Sequence, residues 1–285
     1  MLDTKFFPEY LFFGFTIASV ISLWLPVYRY TWIISYFFAL CFGLLSDHFK
    51  IIGLLPIAVL AVAAFKTGQD GKKVSIYDLL ILLIGAGMIL HVFKGFNNWI
   101  MIEKYSISDD SLPFTMNFEF DKATLGIFLL AFVISLNKDF FGLKKIVLNV
   151  LLFTSILCLI LFPISTHFHF AKFDPKFPAI SLQWILNNLF IVSVSEEAFF
   201  RGFLQAKLSR VFNFRFGSFF ALIIASIVFG LYYYPEGAAH VALASFSGLI
   251  YGLSFLVSQR IEAAILTHFC VNAIHFFLFT YPALA

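Results

Sequence analysis

Three charged side chains stand where the surrounding sequence offers little to solvate them. Glu196, Glu197 and Arg201 occur in VSEEAFFRG, residues 194–202, inside a long apolar stretch. A charge at the centre of a membrane helix costs about 2.5–3.5 kcal/mol on insertion scales, so such residues mark pairing or function. Helical spacing separates their roles. Glu197 and Arg201 are four apart, on one face and in the favourable order for an ion pair. Glu196 is turned about 100° from Glu197 and lies five residues from Arg201, so it points elsewhere. Facing a cavity beside a like charge, its carboxyl is expected to titrate high, the profile of a general base near neutral pH. The competing reading is a helix end at the membrane interface with all three groups solvated. Spacing alone leaves both open.

A second polar set lies some 70 residues on. THFCVNAIH, residues 267–275, puts His268 and Asn272 four apart and His275 three further, all on one helical face. Polar groups in lipid need polar partners. This pair could donate to a developing oxyanion or form an interhelical hydrogen-bond clasp, and both readings stay open. Between the two sets, SIVFGLYYYPEGAAHVALASFSGLIYG carries Phe229, Tyr233, a Pro-Glu-Gly turn and His240, which reads as an interfacial histidine. Gly248 and Gly252 have the small-xxx-small spacing that lets helices approach closely.

The elements that must position these residues are membrane helices. The 285 residues are 61% hydrophobic and 12% charged, against about 25% charged in a soluble domain, so lipid must be the solvent. The net charge of +3 is spread between apolar runs and forms no basic patch for nucleic acid. Cys41, Cys158 and Cys270 share no close spacing, which argues against a disulfide framework or a zinc site. Apolar runs of near-spanning length fall at about 10–27, 31–46, 51–65, 77–96, 123–137, 145–163, 180–200, 217–234, 240–258 and 262–281, with 31–46 and 51–65 short enough to be re-entrant or tilted. The expected fold is an all-α, polytopic transmembrane helical bundle of about 8–10 spans. The first run reads as a retained span, because its leader MLDTKFFPEY lacks a positive cluster and no Ala-x-Ala site follows. Placing the loops around Lys66–Lys73, Lys138–Lys145, Lys207–Arg215 and Arg260 in the cytoplasm, with Arg29, satisfies the positive-inside rule. Lys122 then counts with the outer loops. Residues 97–122, with the turn-like SDDSLP, and 164–179 read as outer loops, and Pro178 announces a helix start.

Taken together, Glu-Glu-x-x-x-Arg, then Phe-Gly-Leu and a turn, then LASFSGLIYG, then His-x-x-x-Asn resembles the CAAX-protease and bacteriocin-processing family, whose members include the type II CAAX prenyl endopeptidases. The resemblance covers roughly residues 180–280. It implies a membrane-embedded glutamic endopeptidase in which Glu196 activates the attacking water, Glu197 and Arg201 accompany it, and His268 with Asn272 stabilises the oxyanion. Residues 141–285 would hold the protease core and residues 1–140 an accessory membrane region. No cofactor is implied. The implied partners are a protein or peptide substrate and the lipid bilayer, with no nucleic acid, and the implied location is a bacterial cytoplasmic membrane, spanned several times.

One position departs from the family. Its second motif is Phe-x-x-x-His, whereas Phe229 is followed at that spacing by Tyr233. A phenol with an ordinary pKa near 10 can orient a water but is a poor base. Three outcomes stay open: Glu196 as sole base with Tyr233 as hydrogen-bond partner, His240 in the missing role, or an impaired member acting as a binding, immunity or regulatory protein. A zinc protease is disfavoured because His-Glu-x-x-His is absent. A transporter is disfavoured because the charged motif has no counterpart in a second half.

Overall fold

The computed structural model describes residues 7–25, 30–70, 74–136 and 142–285. Lys5, Val27, Arg29, Lys72, Lys73 and Lys138, on which the first span's end and part of the charge topology rest, lie outside the described residues. Among the described residues the chain forms ten helices: α1 Phe7–Trp24, α2 Thr31–Leu45, α3 Leu54–Asp70, α4 Ile76–Ile89, α5 Phe120–Phe132, α6 Leu143–His167, α7 over residues 181–211, α8 Gly217–Tyr232, α9 Ala238–Ser258 and α10 Ile261–Leu278. The fold is an all-α polytopic membrane bundle. Five helical segments are long and apolar enough to cross a bilayer: Phe7–Trp24, Ile51–Gln69, Leu143–His167, Ala238–Ser258 and Ile261–Leu278. Three more apolar helices, α2, α4 and α8, are shorter. At 15 residues, α2 extends only about 22 Å at 1.5 Å per residue, short of a hydrocarbon core of about 30 Å.

Residues 97–122, read as a plain loop, fold in part as a hairpin of β1, Trp99–Tyr105, and β2, Phe114–Phe118. The Ile-Met-Ile and Phe-Thr-Met-Asn-Phe runs supply the β-prone residues on either side of the Ser-Asp-Asp-Ser turn. The next helix then starts earlier than the apolar run suggests. It takes Phe120, Asp121 and Lys122 into its first turn.

The described chain divides into two compact units. The first comprises Met1–Trp99, Asn117–Asp139 and Phe190–Phe203. Its central element is α5, in which every residue from Phe120 to Leu130 is buried. A helix apolar on all sides belongs in the middle of a bundle, and within this unit α5 packs against α1, α3, α4 and the Val194–Glu197 stretch of α7. Gly126 makes the last contact possible. A Cβ there would lie 2.7 Å from Ser195 Oγ and 2.9 Å from Ser195 Cα. Phe12, Phe118 and Phe120 pack edge-on or tilted around the start of α5.

The second unit comprises Ile100–Met116, Phe140–Leu189 and Leu204–Ala285. Here α8 and α9 form an antiparallel pair joined by the turn Tyr234–Glu236 and by Gly237 at φ +102°. Along α6, α9 and α10 a neutral clasp crosses the packing. Ser254 Oγ donates to Asn149 Oδ1 at 2.6 Å and lies 3.1 Å from Thr267 Oγ1. Gly252 makes the close approach its spacing announced: a Cβ would meet Leu222 Cδ1 at 2.4 Å, and Gln205 Nε2 donates to its carbonyl at 3.1 Å. A loop face covers one end, where Lys172 pairs with Asp110, Lys176 pairs with Asp174 at 3.2 Å, and Lys176 also donates to the Phe279 carbonyl.

Candidate active site

The motif helix α7 begins at Ser181, whose hydroxyl donates to the Pro178 carbonyl at 2.6 Å. It is not a uniform α-helix. Asn188–Ser193 and Ala198–Gln205 are π-helical, and the four α-helical residues Val194–Glu197 lie between them. Such widening is rare and concentrates at functional sites. The two glutamates therefore occupy the one short stretch of regular pitch in the middle of the element.

In the first unit, the expected division between the two carboxylates appears as two different partners. Arg201 Nη1 donates to Glu197 Oε1 at 2.8 Å, with both side chains fully buried. That pair is internal to α7. Glu196, 1% exposed, reaches another helix: Lys122 Nζ, from the first turn of α5, donates to its Oε1 at 3.4 Å. The charge pattern of the sequence alone counts Lys122 with the outer-loop cations. Its side chain is 4% exposed, because α5 begins earlier than its apolar run.

A row of ionisable groups continues behind Lys122. Its ammonium also meets Glu119 Oε2 at 2.7 Å, and the other oxygen of Glu119 lies 3.3 Å from His91 Nε2. His91 Nδ1 lies 2.7 Å from Asp121 Oδ2. Burial alone would raise the Glu119 carboxyl, but the Lys122 charge and hydrogen bonds from His91 and Lys122 hold it down to about 2. Hydrogen bonds to Asp121 and Glu119 push the His91 imidazole up to about 9, against a smaller opposing effect of burial. His91 follows α4 with φ +54°, and its side chain is 36% exposed. The row thus runs from a half-exposed imidazole to the buried Glu196. A cavity of about 300 Å³ in this unit is lined by residues including Trp32, Phe65 and Phe132; Glu196 is not on its wall.

In the second unit the polar groups are held by rings and amides. The buried His268 ring stacks on Tyr251 at 4.6 Å and 11°, and meets Phe229 edge-on at 6.0 Å. Tyr233 caps the C-terminus of α8 and packs edge-on against the same Phe229 at 5.5 Å. Tyr233 and His268 therefore share one aromatic neighbour. Asn272 Nδ2 donates to Asn188 Oδ1 at 3.3 Å, so an amide clasp exists at that position. A primary amide carries two N–H donors, and this bond uses one. Further along α10, His275 lies against Phe162 and Tyr281. His240 lies in the first turn of α9: its Nδ1 lies 3.1 Å from the Glu236 carbonyl, its ring is 6.4 Å from that of Phe170, and its side chain is 42% exposed.

Sequence reasoning missed Lys122, Glu119, His91, Asn188 and Tyr251. A lysine placed just ahead of an apolar run reads as a loop cation, and only the burial of the whole α5 start reveals otherwise. Asn188 had a signal: it lies eight residues before Glu196 in a segment expected to be buried. Tyr251 sat within LASFSGLIYG as one aromatic among many.

These features describe an integral membrane protein with a buried acidic motif in the first unit and a histidine–asparagine motif in the second. Residues 178–274 match the family model described as type II CAAX prenyl endopeptidase Rce1-like. The match encloses Glu196, Glu197, Arg201, Tyr233, His268 and Asn272, and it supports a CAAX-type intramembrane protease at the family level. Neither a curated protein nor a solved structure matches the chain.

Proposed function

We propose that the protein is an intramembrane endopeptidase that cleaves a peptide bond with water activated by Glu196. The match across residues 178–274, which spans both polar motifs, carries this reading. In the proposed reaction the Glu196 carboxylate takes a proton from water while the resulting hydroxide adds to the substrate carbonyl carbon. The carbonyl π electrons move to oxygen, and His268 and the second N–H of Asn272 donate to that oxyanion. Collapse of the tetrahedral intermediate breaks the C–N bond, and Glu196 returns its proton to the leaving amine. Glu197 and Arg201 neutralise each other and keep the helix charge-balanced beside Glu196. Stacking on Tyr251 restrains the imidazole, which supports a donor held in a fixed direction.

A second reading draws on Tyr233. With a phenol at the family's histidine position, the protein would be an impaired member that binds or regulates a membrane peptide. The matching family is described as a CAAX prenyl endopeptidase, so a prenylated CAAX peptide is the first substrate to try. The test is cleavage of an internally quenched, prenylated CAAX peptide by purified protein in proteoliposomes, alongside the unprenylated peptide. Cleavage by wild type, loss in Glu196→Ala and a gain in Tyr233→His are expected. Cleavage that survives Glu196→Ala would sink the mechanism, and binding without cleavage in wild type, restored by Tyr233→His, would favour the second reading.

A further inference from the structure

We infer that Lys122, from outside the segment that matches the family, is the positioning residue for Glu196, with Glu119 behind it as its anchor. This rests on the reading of Glu196 as the base.

Three observations lead there. Lys122 is the first turn's contribution from a helix buried along eleven consecutive residues, Phe120 to Leu130, so its backbone has little freedom to move. Its ammonium is bracketed by Glu119 at 2.7 Å and Glu196 at 3.4 Å. A flexible four-carbon stem is thereby restrained at its far end by two carboxylates. The third observation is the absence of a side chain at Gly126, one turn further along α5, where a Cβ would collide with Ser195. Glu196 follows Ser195 directly. The close approach that Gly126 permits brings the start of α5 to the Glu196 backbone, within reach of an ammonium.

The chemistry favours a cation at this place. A buried charge is costly unless an opposite charge stands close by, and Lys122 Nζ lies 3.4 Å from Glu196 Oε1. Arg201 is taken up by Glu197 on α7 itself; Lys122 supplies the charge from a second helix. A lysine suits this better than an arginine would. A point charge with rotatable donors can follow Glu196 Oε1 through proton uptake and release, whereas a bidentate fork would lock both oxygens. Glu119 keeps the ammonium from following Glu196 too far. Without it, Lys122 could close on the carboxylate and hold the proton-accepting oxygen for itself.

The test uses the full-length protein in proteoliposomes with the quenched prenylated peptide, and adds a measurement that needs no activity. Lys122→Met is expected to lower kcat about 10–100-fold with KM within twofold, and to move the acid limb of the pH–rate profile to higher pH. Lys122→Arg should recover part of kcat, and Glu119→Gln should lower kcat with a smaller shift of the acid limb. A merely structural role would leave that limb in place. In detergent, the melting temperatures of Lys122→Met, Glu196→Gln and the double variant should be non-additive, the double variant losing less than the sum. Wild-type cleavage that is lost in Glu196→Ala but unchanged in rate and pH profile in Lys122→Met would overturn the inference and leave the protease reading standing. A wild type that cleaves no probe would count against the protease reading. The thermal cycle then decides by itself, with additivity overturning the Lys122–Glu196 link and non-additivity retaining it. A Lys122→Met protein that fails to fold hands the decision to Glu119→Gln, where an unmoved profile is the overturning result.

Discussion

The two halves of the polar machinery are built on opposite principles. In the first unit, four carboxylates (Glu119, Asp121, Glu196, Glu197) meet Lys122, Arg201 and His91 in a sequence of ion pairs. In the second, His268 and Asn272 are placed by a stacked tyrosine, an edge-on phenylalanine and another amide. Under the proposed function each would answer a different demand. The base would have to be ionised while buried, and a nearby opposite charge offsets part of the desolvation it suffers. A hydrogen-bond donor needs direction more than charge, and flat ring contacts supply direction at little electrostatic cost. The same division appears in the supporting structure: ion pairs gather at the start of α5, whereas the second unit joins α6, α9 and α10 through the neutral Ser254, Asn149 and Thr267.

Breaking a pair in the first unit is therefore expected to cost far more than breaking a clasp in the second. The largest effect is expected at Arg201. Arg201→Met strands Glu197 in a fully buried site and should cost about 3–5 kcal/mol, read as a loss of folded protein in detergent-unfolding titrations. The double variant Arg201→Met with Glu197→Gln should recover much of that loss. Equal losses in single and double variants would show that the pair matters for packing alone.

Gly126 comes next. Gly126→Ala drives a methyl group against Ser195 backbone and side chain, overpacking worth about 1–3 kcal/mol. Gly126→Ala carries a second readout, because separation of α5 from α7 should reduce the Lys122–Glu196 coupling in the thermal cycle as well. In the second unit Ser254→Ala removes a hydroxyl that meets two partners, yet an interhelical hydrogen bond in a membrane averages only about 0.6 kcal/mol and reaches about 1.7. A Ser254→Ala loss as large as that of Arg201→Met would erase the distinction between the halves.

Helix number and membrane class were legible because they depend on hydrophobic runs, and burial in lipid enforces those runs along the whole chain. The Glu197–Arg201 pair was legible because both residues lie on one helix at a spacing that survives the local widening to π geometry. What spacing could not reveal was tertiary. Glu196 meets a lysine 74 positions away in sequence, and no periodicity links the two. The hairpin at Trp99–Phe118 was hidden by its charged turn, which outweighed two short β-prone runs. Lys122 reads as a loop cation because a cation at the head of an apolar segment is ordinarily solvated, and the burial of α5 from Phe120 to Leu130 overrides that expectation.

The smallest expected effect probes the outer end of the charged row. Folding raises His91 from its ordinary value of 6.5 to about 9, through Asp121 and Glu119. A group whose folded value is raised contributes stability that is complete below its unfolded value and is lost as pH rises through the folded one. The contribution of His91 should therefore be full below about pH 6.5 and decline until pH passes about 9. Its side chain is 36% exposed, so solvent screens the effect and the drop in melting temperature should be small. His91→Gln should flatten this part of the profile and, because Glu119 loses one of the hydrogen bonds that hold its carboxyl down, should also weaken the dependence on the acidic side. The outcome bears on the contrast between the halves. A pH-dependent decline that vanishes with His91 ties the first unit's stability to charge, as its row of ion pairs requires. A profile unaffected by His91→Gln would mean that Asp121 and Glu119 are held by Lys122 and the backbone alone, and the row would end at Lys122 instead of reaching the surface.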